Sequence, residues 1–247
     1  IKIGFRNIIS VGGDGTLHHV VNGIMMQRYV KTSDITISVI PLGTGNDWVK
    51  TYNIPTSIKE SIEIIYKKNI ITQDIGVLKT ENTVTYFNNV AGLGYDGYVV
   101  SKLKSLKKFG GISYLIAGFY GMLFYKKSNF KIIINKKVVK TDCLMTVFGI
   151  CKYSGGGMRF TEKIATSSGL LNITIVKNFT FLDLIINLPK LYSGKIVNHK
   201  KVSTYKTNEI TIIPINSKPF IQADGELIGV GNVNVTIIKK AIQFVIC

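Results

Sequence analysis

Three short stretches hold the side chains of this sequence best suited to chemistry on a polyanion. The first is NIISVGGDGTLHHVVNGI, residues 7 to 24, in which Gly12, Gly13 and Gly15 surround Asp14 and lead into Thr16, Leu17 and His18. The second is PLGTGND, where Gly43, Thr44, Gly45 and Asn46 precede Asp47. The third is ADGE, with Asp224 and Glu226 on either side of a glycine. Glycines after an apolar run have two uses. They can reverse the chain between a buried strand and a helix at little conformational cost. They can also let backbone amides approach a phosphate, with the positive end of the following helix pointing at it. Asp224 and Glu226 likewise admit two readings. On an extended strand they share a face, and in a turn they converge; as a plain hairpin turn, for which Asp-Gly is a common dipeptide, both would be solvated.

Whatever these residues do, the elements around them must bring them together. Apolar runs before each glycine loop and amphipathic runs after it predict two successive strand, loop and helix units, followed by a further helix from Ser57 to Lys68. Strands alternating with helices form a parallel sheet, and its ligands collect at the carboxyl ends of the strands. The two loops would then lie side by side and surround one ligand with amides and with the carboxylates of Asp14 and Asp47. Neither loop is GxGxxG or GxxxxGK[ST], which disfavours a dinucleotide fold and a P-loop. After residue 72 the character changes to short β-rich segments separated by Asn and Gly turns, interrupted by helices at Gly111 to Tyr125 and Phe181 to Gly194. That pattern reads as a β-sandwich. The expected organisation is an α/β domain at 1–72 and a β-sandwich domain at 73–247.

Composition bounds the function. A chain of 247 residues with 46% hydrophobic residues can bury a substantial core. Tyr114 to Tyr125 is the longest strongly apolar run, well short of the roughly 20 residues that span a bilayer. The first residues show no charged-then-apolar leader, and the cysteines at 143, 151 and 247 are widely spaced, so a reducing cytoplasm with ordinary core thiols is expected. The balance of 31 Lys and Arg against 14 Asp and Glu gives a net charge of +17, which favours polyanionic partners. No zinc-finger spacing, aromatic RNA-binding signature or helical basic region accompanies the lysines, so nucleic acid is not an expected partner.

Together the blocks resemble the diacylglycerol kinase catalytic-domain family of bacterial lipid kinases, relatives of sphingosine and ceramide kinases. VGGDGTLHHVVNGI and PLGTGNDW carry the resemblance first. YFNNVAGLGYDGYVV, GICKYSGGGMRF, GLLNITIV and QADGE continue it in order, nearly to the end of the chain. The resemblance implies a three-layer nucleotide-binding domain of the NAD-kinase type, a β-sandwich domain, and an active site between them that phosphorylates a lipid hydroxyl, diacylglycerol-like, with ATP and Mg²⁺ in phospholipid biosynthesis. Residues 12 to 18 and 43 to 47 would bind ATP. Glu226 would accept the hydroxyl proton, Asp224 would orient water or Mg²⁺, and Asp96 would line the lipid cleft or hold a turn. A structural metal would sit at Ala165, Ser168 and Leu170, although Ser168 stands where the family usually has an aspartate, and a hydroxyl is a poor ligand for a hard cation.

Other departures are His19 for the usual glutamate and Glu162 for the usual proline. Relatives also start with a further strand and phosphate loop, so a missing N-terminal segment is expected. Of the remaining residues, Trp48 and Phe109 are expected to pack, Asp74 to accept hydrogen bonds at the domain junction, and Lys218 to contact phosphate or solvent. The segment from Ser101 to Lys127 joins lysines to an apolar core and suits peripheral binding to an anionic membrane at the inner face of the cell envelope. A homodimer is admitted as an assembly state. Two alternatives remain: a nicotinamide dinucleotide kinase, whose later Thr-Gly-Ser block is not found, and a basic membrane- or nucleotide-binding protein without catalysis.

Overall fold

The computed structural model describes residues 1–106, 113–161 and 165–247. Strand β1 (Asn7–Gly12) runs into helix α1 (Asp14–Met26), and β2 (Thr36–Pro41) runs into the short α2 (Asp47–Thr51). The two strands pair in parallel, Asn7 opposite Thr36 and Gly12 opposite Pro41, so the two glycine loops leave the same edge of the sheet. Leu17, Val21 and Ile24 recur at helical spacing on α1 and are buried. Helix α3 (Ile58–Lys67) follows, with the Ser57 hydroxyl accepting from the Glu60 amide as its cap.

Strand β3 (Ile70–Lys79) pairs with β4 (Val84–Phe87) and with the long C-terminal strand β14 (Val233–Val245). The expected boundary between residues 72 and 73 falls within β3. Strand β14 also crosses it: residues 233–236 pair with β11 (Glu209–Ile215), while Gln243 and Phe244 pair in parallel with β2. The pairing of β14 with β3 is irregular between Ile238 and Ile242, where Lys240 adopts a left-handed conformation. Asp74, fully buried, accepts from the Lys240 amide there at 2.8 Å and from the Gly169 amide. This is the junction acceptor anticipated for it.

The larger sheet has the order β1-β2-β14-β11-β6-β7, completed by β3 and β4, with β6 at Ser128–Ile134 and β7 at Lys137–Cys143. Six antiparallel strands form the second sheet, in the order β10-β9-β8-β5-β12-β13. These are β5 (Val90–Gly94), β8 (Met145–Gly149), β9 (Leu171–Val176), β10 (Val202–Thr207), β12 (Phe220–Ala223) and β13 (Glu226–Val230). Ile132, Ile210 and Ile212 of the first sheet and Phe148, Ile173 and Ile221 of the second belong to one buried cluster, which continues through Ile75 and Phe244 to Leu17 and Trp48. The far side of the second sheet is covered by α4 (Tyr95–Leu106), α5 (Ser113–Phe124) and α6 (Phe181–Ser193) over a separate cluster that includes Val90, Met145, Val147 and Leu191. Strands β8 and β9 are therefore buried on both faces, and their runs MTVFG and LNITIV lack the alternation of a half-exposed strand.

Helices α5 and α6 occupy the two stretches anticipated as helical. Helix α4 does not correspond to any anticipated helix, and its first turn carries Asp96. Phe109 and Glu162 lie outside the described residues, as do Lys107 and Lys108 of the basic segment.

Candidate active site

The two glycine loops touch through their backbones. A β-carbon added to Gly43 would stand 2.4 Å from the Gly13 α-carbon, so both positions need glycine for the loops to meet. Asn46, left-handed at φ 50°, closes the second loop on itself: its Oδ1 accepts from the Gly43 amide at 3.1 Å and its Nδ2 donates to the Gly43 carbonyl at 2.7 Å. Asp14 then ties the loops together. Its carboxylate accepts from the Asp47 amide at 3.0 Å and the Trp48 amide at 3.1 Å, capping α2. Burial raises its pKa above the ordinary carboxylate value, against the opposing pull of those two amides. Asp47 is likewise engaged, by Lys50 Nζ at 3.0 Å and by the Gly156 amide at 2.8 Å, the latter crossing to the GGG loop of the sandwich.

Helix α1 is treated differently. It starts at Asp14 with Gly13 in the cap position and receives no side-chain cap, which leaves its first-turn amides open beside the glycine loop. Thr16 and Thr44 are exposed and Gly12, Gly13, Gly15, Gly43 and Gly45 are half-exposed around this opening. Leu17 and His18, anticipated as nucleotide contacts, face elsewhere. Leu17 is core, because helical periodicity turns it inward with Val21, and His18 is 3% exposed.

Strands β12 and β13 form a hairpin whose turn residues, Asp224 at φ 52° and Gly225 at φ 84°, both have positive φ. The Asp-Gly turn is there, but its aspartate is not solvated. Asp224 is 8% exposed, and its carboxylate accepts from the amides of Asn88 at 3.1 Å, Asn89 at 2.9 Å and Val90 at 3.2 Å. His18 Nδ1 completes the set at 3.0 Å from Oδ2. Asn22 Nδ2 lies 3.3 Å from His18 Nε2, an arrangement in which Nε2 accepts and Nδ1 carries the proton to Asp224. Burial pulls the His18 pKa down, but the hydrogen bond to Asp224 and its charge outweigh that, and the net shift is upward. With its oxygens bound in this way, Asp224 anchors the turn to α1 and to the start of β5; it does not present a metal or water ligand.

That anchoring places Glu226. Its Oε1 lies 2.9 Å from where a β-carbon on Gly15 would be, so the side chain reaches over the first turn of α1. Glu226 is half-exposed and has no hydrogen-bond or ion-pair partner among the described residues.

An apolar cavity opens on the other side of the second sheet, with about 720 Å³ of space including its mouth, lined among others by Val99, Phe119, Met145, Phe160, Leu184 and Leu188. Asp96 is the acid on its wall. Burial pushes the Asp96 pKa up to about 6, partly offset by a hydrogen bond from Gln222 Nε2 at 2.6 Å. Gln222 Oε1 in turn accepts from the Gly225 amide at 2.9 Å. A two-bond chain thus runs from the cavity wall to the turn that carries Glu226. Gln222 was visible in the sequence as part of QADGE, but nothing in its spacing marked it as the bridge.

The anticipated metal position is a hydrogen-bonded turn. The Ser168 amide donates to the Ala165 carbonyl, Ser168 Oγ accepts from the Leu170 amide at 3.3 Å, and the nearby carboxylate, Asp74, is already bound to two amides. A hydroxyl and carbonyls without a free carboxylate do not fit a structural Mg²⁺. No cluster of three or more His, Cys, Asp or Glu suited to a metal occurs among the described residues. Trp48 is fully buried and donates to Gln73, and Lys218 is exposed.

The same layout recurs in known proteins. Residues 1–78 match the diacylglycerol kinase catalytic domain, and residues 89–246 match the YegS C-terminal NAD kinase beta sandwich-like domain. The chain belongs to the diacylglycerol kinase family of lipid kinases. The diacylglycerol kinase of Staphylococcus saprophyticus is 27% identical over 223 residues, covering 89% of this chain and 70% of its own. The crystal structure of a diacylglycerol kinase from Bacillus anthracis superposes with a TM-score of 0.72 at 19% identity, over 100% of this chain and 78% of that one. Yeast NADH kinase complexed with NADH gives 0.56 at 14% identity, over 98% and 62%. At that identity the last likeness speaks for a shared fold alone, and it leaves this α/β plus β-sandwich kinase on the lipid-kinase side. No helix among the described residues is long and apolar enough to cross a membrane.

Proposed function

We propose that this kinase transfers the γ-phosphoryl group of ATP to the hydroxyl of a diacylglycerol-like lipid, working at the cytoplasmic surface of an anionic membrane in phospholipid biosynthesis. The observation that carries the reading is the unpartnered Glu226 carboxylate held over the uncapped first turn of α1. Phosphoryl transfer asks chiefly for positioning, charge neutralisation and a proton acceptor. The amides at the start of α1 and the glycines of both loops receive the phosphate chain. Glu226 takes the proton as the lipid oxygen bonds to the γ-phosphorus, and the bond to the β,γ-bridging oxygen breaks to release ADP. Asp224 holds the turn that presents Glu226.

Mg²⁺ supplies charge neutralisation when bound with ATP. Glu226 is the one carboxylate of the four (Asp14, Asp47, Asp224, Glu226) that stays open to such a complex, since the other three are bound to amides, Lys50 or His18. The apolar cavity is the place for acyl chains. Asp96, linked through Gln222 to the catalytic turn, aligns the glycerol end. A lipid hydroxyl sits at the bilayer interface, so the cleft must be presented to a membrane, and the net charge of +17 favours an anionic one. The test is incubation with γ-labelled ATP, Mg²⁺ and a panel of diacylglycerol, ceramide, sphingosine and monoacylglycerol, with NAD as a further acceptor. Label in diacylglycerol supports the reading; label in NAD, or in nothing, contradicts it.

A further inference from the structure

Helix α6 is apolar on two opposite faces. Leu184, Leu188 and Leu191 point inward and line the apolar cavity. Phe181, Leu182, Ile185 and Ile186, joined one and two turns on by Pro189 and Tyr192, face outward. Leu182 is 66% exposed, Ile186 67% and Ile185 44%. A helix on a water-facing surface places polar residues there; this one has a single acid, Asp183, and a single base, Lys190. Asp183 is fully engaged in the Thr180 capping box and by Lys201. It therefore adds no free negative charge to the face.

The neighbouring helix extends the strip. Phe119 of α5 meets Phe181 edge to face at 6.1 Å, and Tyr120 and Phe124 of α5 are 56% and 60% exposed. Exposed lysines stand at the C-terminal ends of both helices, Lys126 and Lys127 after α5, and Lys190 and Lys195 at α6. An apolar strip bordered by cations is complementary to a bilayer surface with anionic head groups.

Resting on the lipid-kinase reading, we infer that the outer face of α6 is the membrane-docking surface, inserting Leu182, Ile185 and Ile186 into an anionic leaflet so that the cavity on the opposite face of the same helix opens toward its lipid. This places the apolar anchor on α6.

Binding is measured by sedimentation with vesicles of equimolar phosphatidylcholine and phosphatidylglycerol, without ATP or diacylglycerol, so that catalysis plays no part. The parent chain is expected to sediment, and Leu182→Gln/Ile186→Gln to bind at least about tenfold more weakly. Equal binding of the two, or no binding by the parent, overturns the inference. So does a parent that is dimeric in gel filtration, a double variant that is monomeric, and vesicle binding by neither, which would assign the face to a second copy of the chain. Should the double variant lose its native circular dichroism, Ile186→Trp decides: the only natural tryptophan, Trp48, is buried, so a blue shift on vesicle addition and quenching by brominated lipid support insertion. Unchanged emission from residue 186 overturns it. The kinase reading is tested separately on a short-chain, water-soluble diacylglycerol, which the double variant should phosphorylate as the parent does. Failure of both proteins there rejects the kinase reading and leaves the vesicle result standing.

Discussion

Asp224 and Glu226 leave one hairpin turn in opposite conditions, and the two helix starts beside them show the same contrast. Asp224 accepts from three backbone amides and from His18, whereas Glu226 has no partner among the described residues. Helix α2 begins on the Asp14 carboxylate, whereas α1 begins uncapped. Saturated groups set the shape of the groove, and the unsatisfied ones face what enters it. A buried carboxylate deprived of its donors, or donors deprived of their carboxylate, destabilises the fold. A half-exposed carboxylate without partners has nothing of that kind to lose, so its removal should register in the chemistry.

The largest effect is therefore expected at Glu226. Glu226→Gln should lower kcat by roughly 10²–10⁴-fold, the range for a general base, with the melting temperature and ATP affinity little changed. A drop in stability matching the drop in rate would erase the distinction from Asp224. Asp224→Ala should do the reverse, costing about 3 kcal/mol or more in chemical denaturation because three buried amides and His18 lose their acceptor. Near-parental stability of that variant would show that the turn holds without its anchor.

These contrasts were only partly legible in the sequence. The glycine loops, the parallel pairing of the first two strands and the Asp-Gly hairpin follow from local patterns of turn residues and apolar runs. The burial of Asp224 does not, because its backbone donors lie about 135 positions away and His18 lies 206 away, and a hairpin Asp-Gly is ordinarily solvated. The capping role of Asp14 is hidden for the same reason: the amides it caps come 33 and 34 residues later. Helix α4 was hidden because GLGYDG begins with glycines that punctuate rather than propagate a helix. The double crossing of the domain boundary by β3 and β14 depends on strand order, which no local window contains.

A smaller effect is expected at the α2 cap. Asp14→Ala should cost about 1 kcal/mol of stability, within the usual range for an N-cap, and raise the KM for ATP as the two loops lose their tie. An unchanged KM would separate the cap from the nucleotide site.

The last effect is a dependence on pH at Asp96, whose carboxyl is pushed up to about 6 by burial. Its folded-state pKa lies above the unfolded value near 4, so the protonated form is the one the fold favours. The parent loses this stabilisation as pH rises from about 4 to 6, and above that range carries a constant penalty for the buried charge. Asp96→Asn, which keeps an oxygen for Gln222, should gain on the parent in melting temperature across that interval and then hold a fixed lead. A difference independent of pH would place the Asp96 carboxylate in solvent.

The central claim is that the open start of α1, under Glu226, receives the triphosphate. A crystal structure with a non-hydrolysable ATP analogue tests it most directly. The account predicts phosphate oxygens within hydrogen-bond distance of the amides at the start of α1 and the γ-phosphate on the side facing Glu226. A triphosphate seated elsewhere, with those amides still exposed to water, would contradict it.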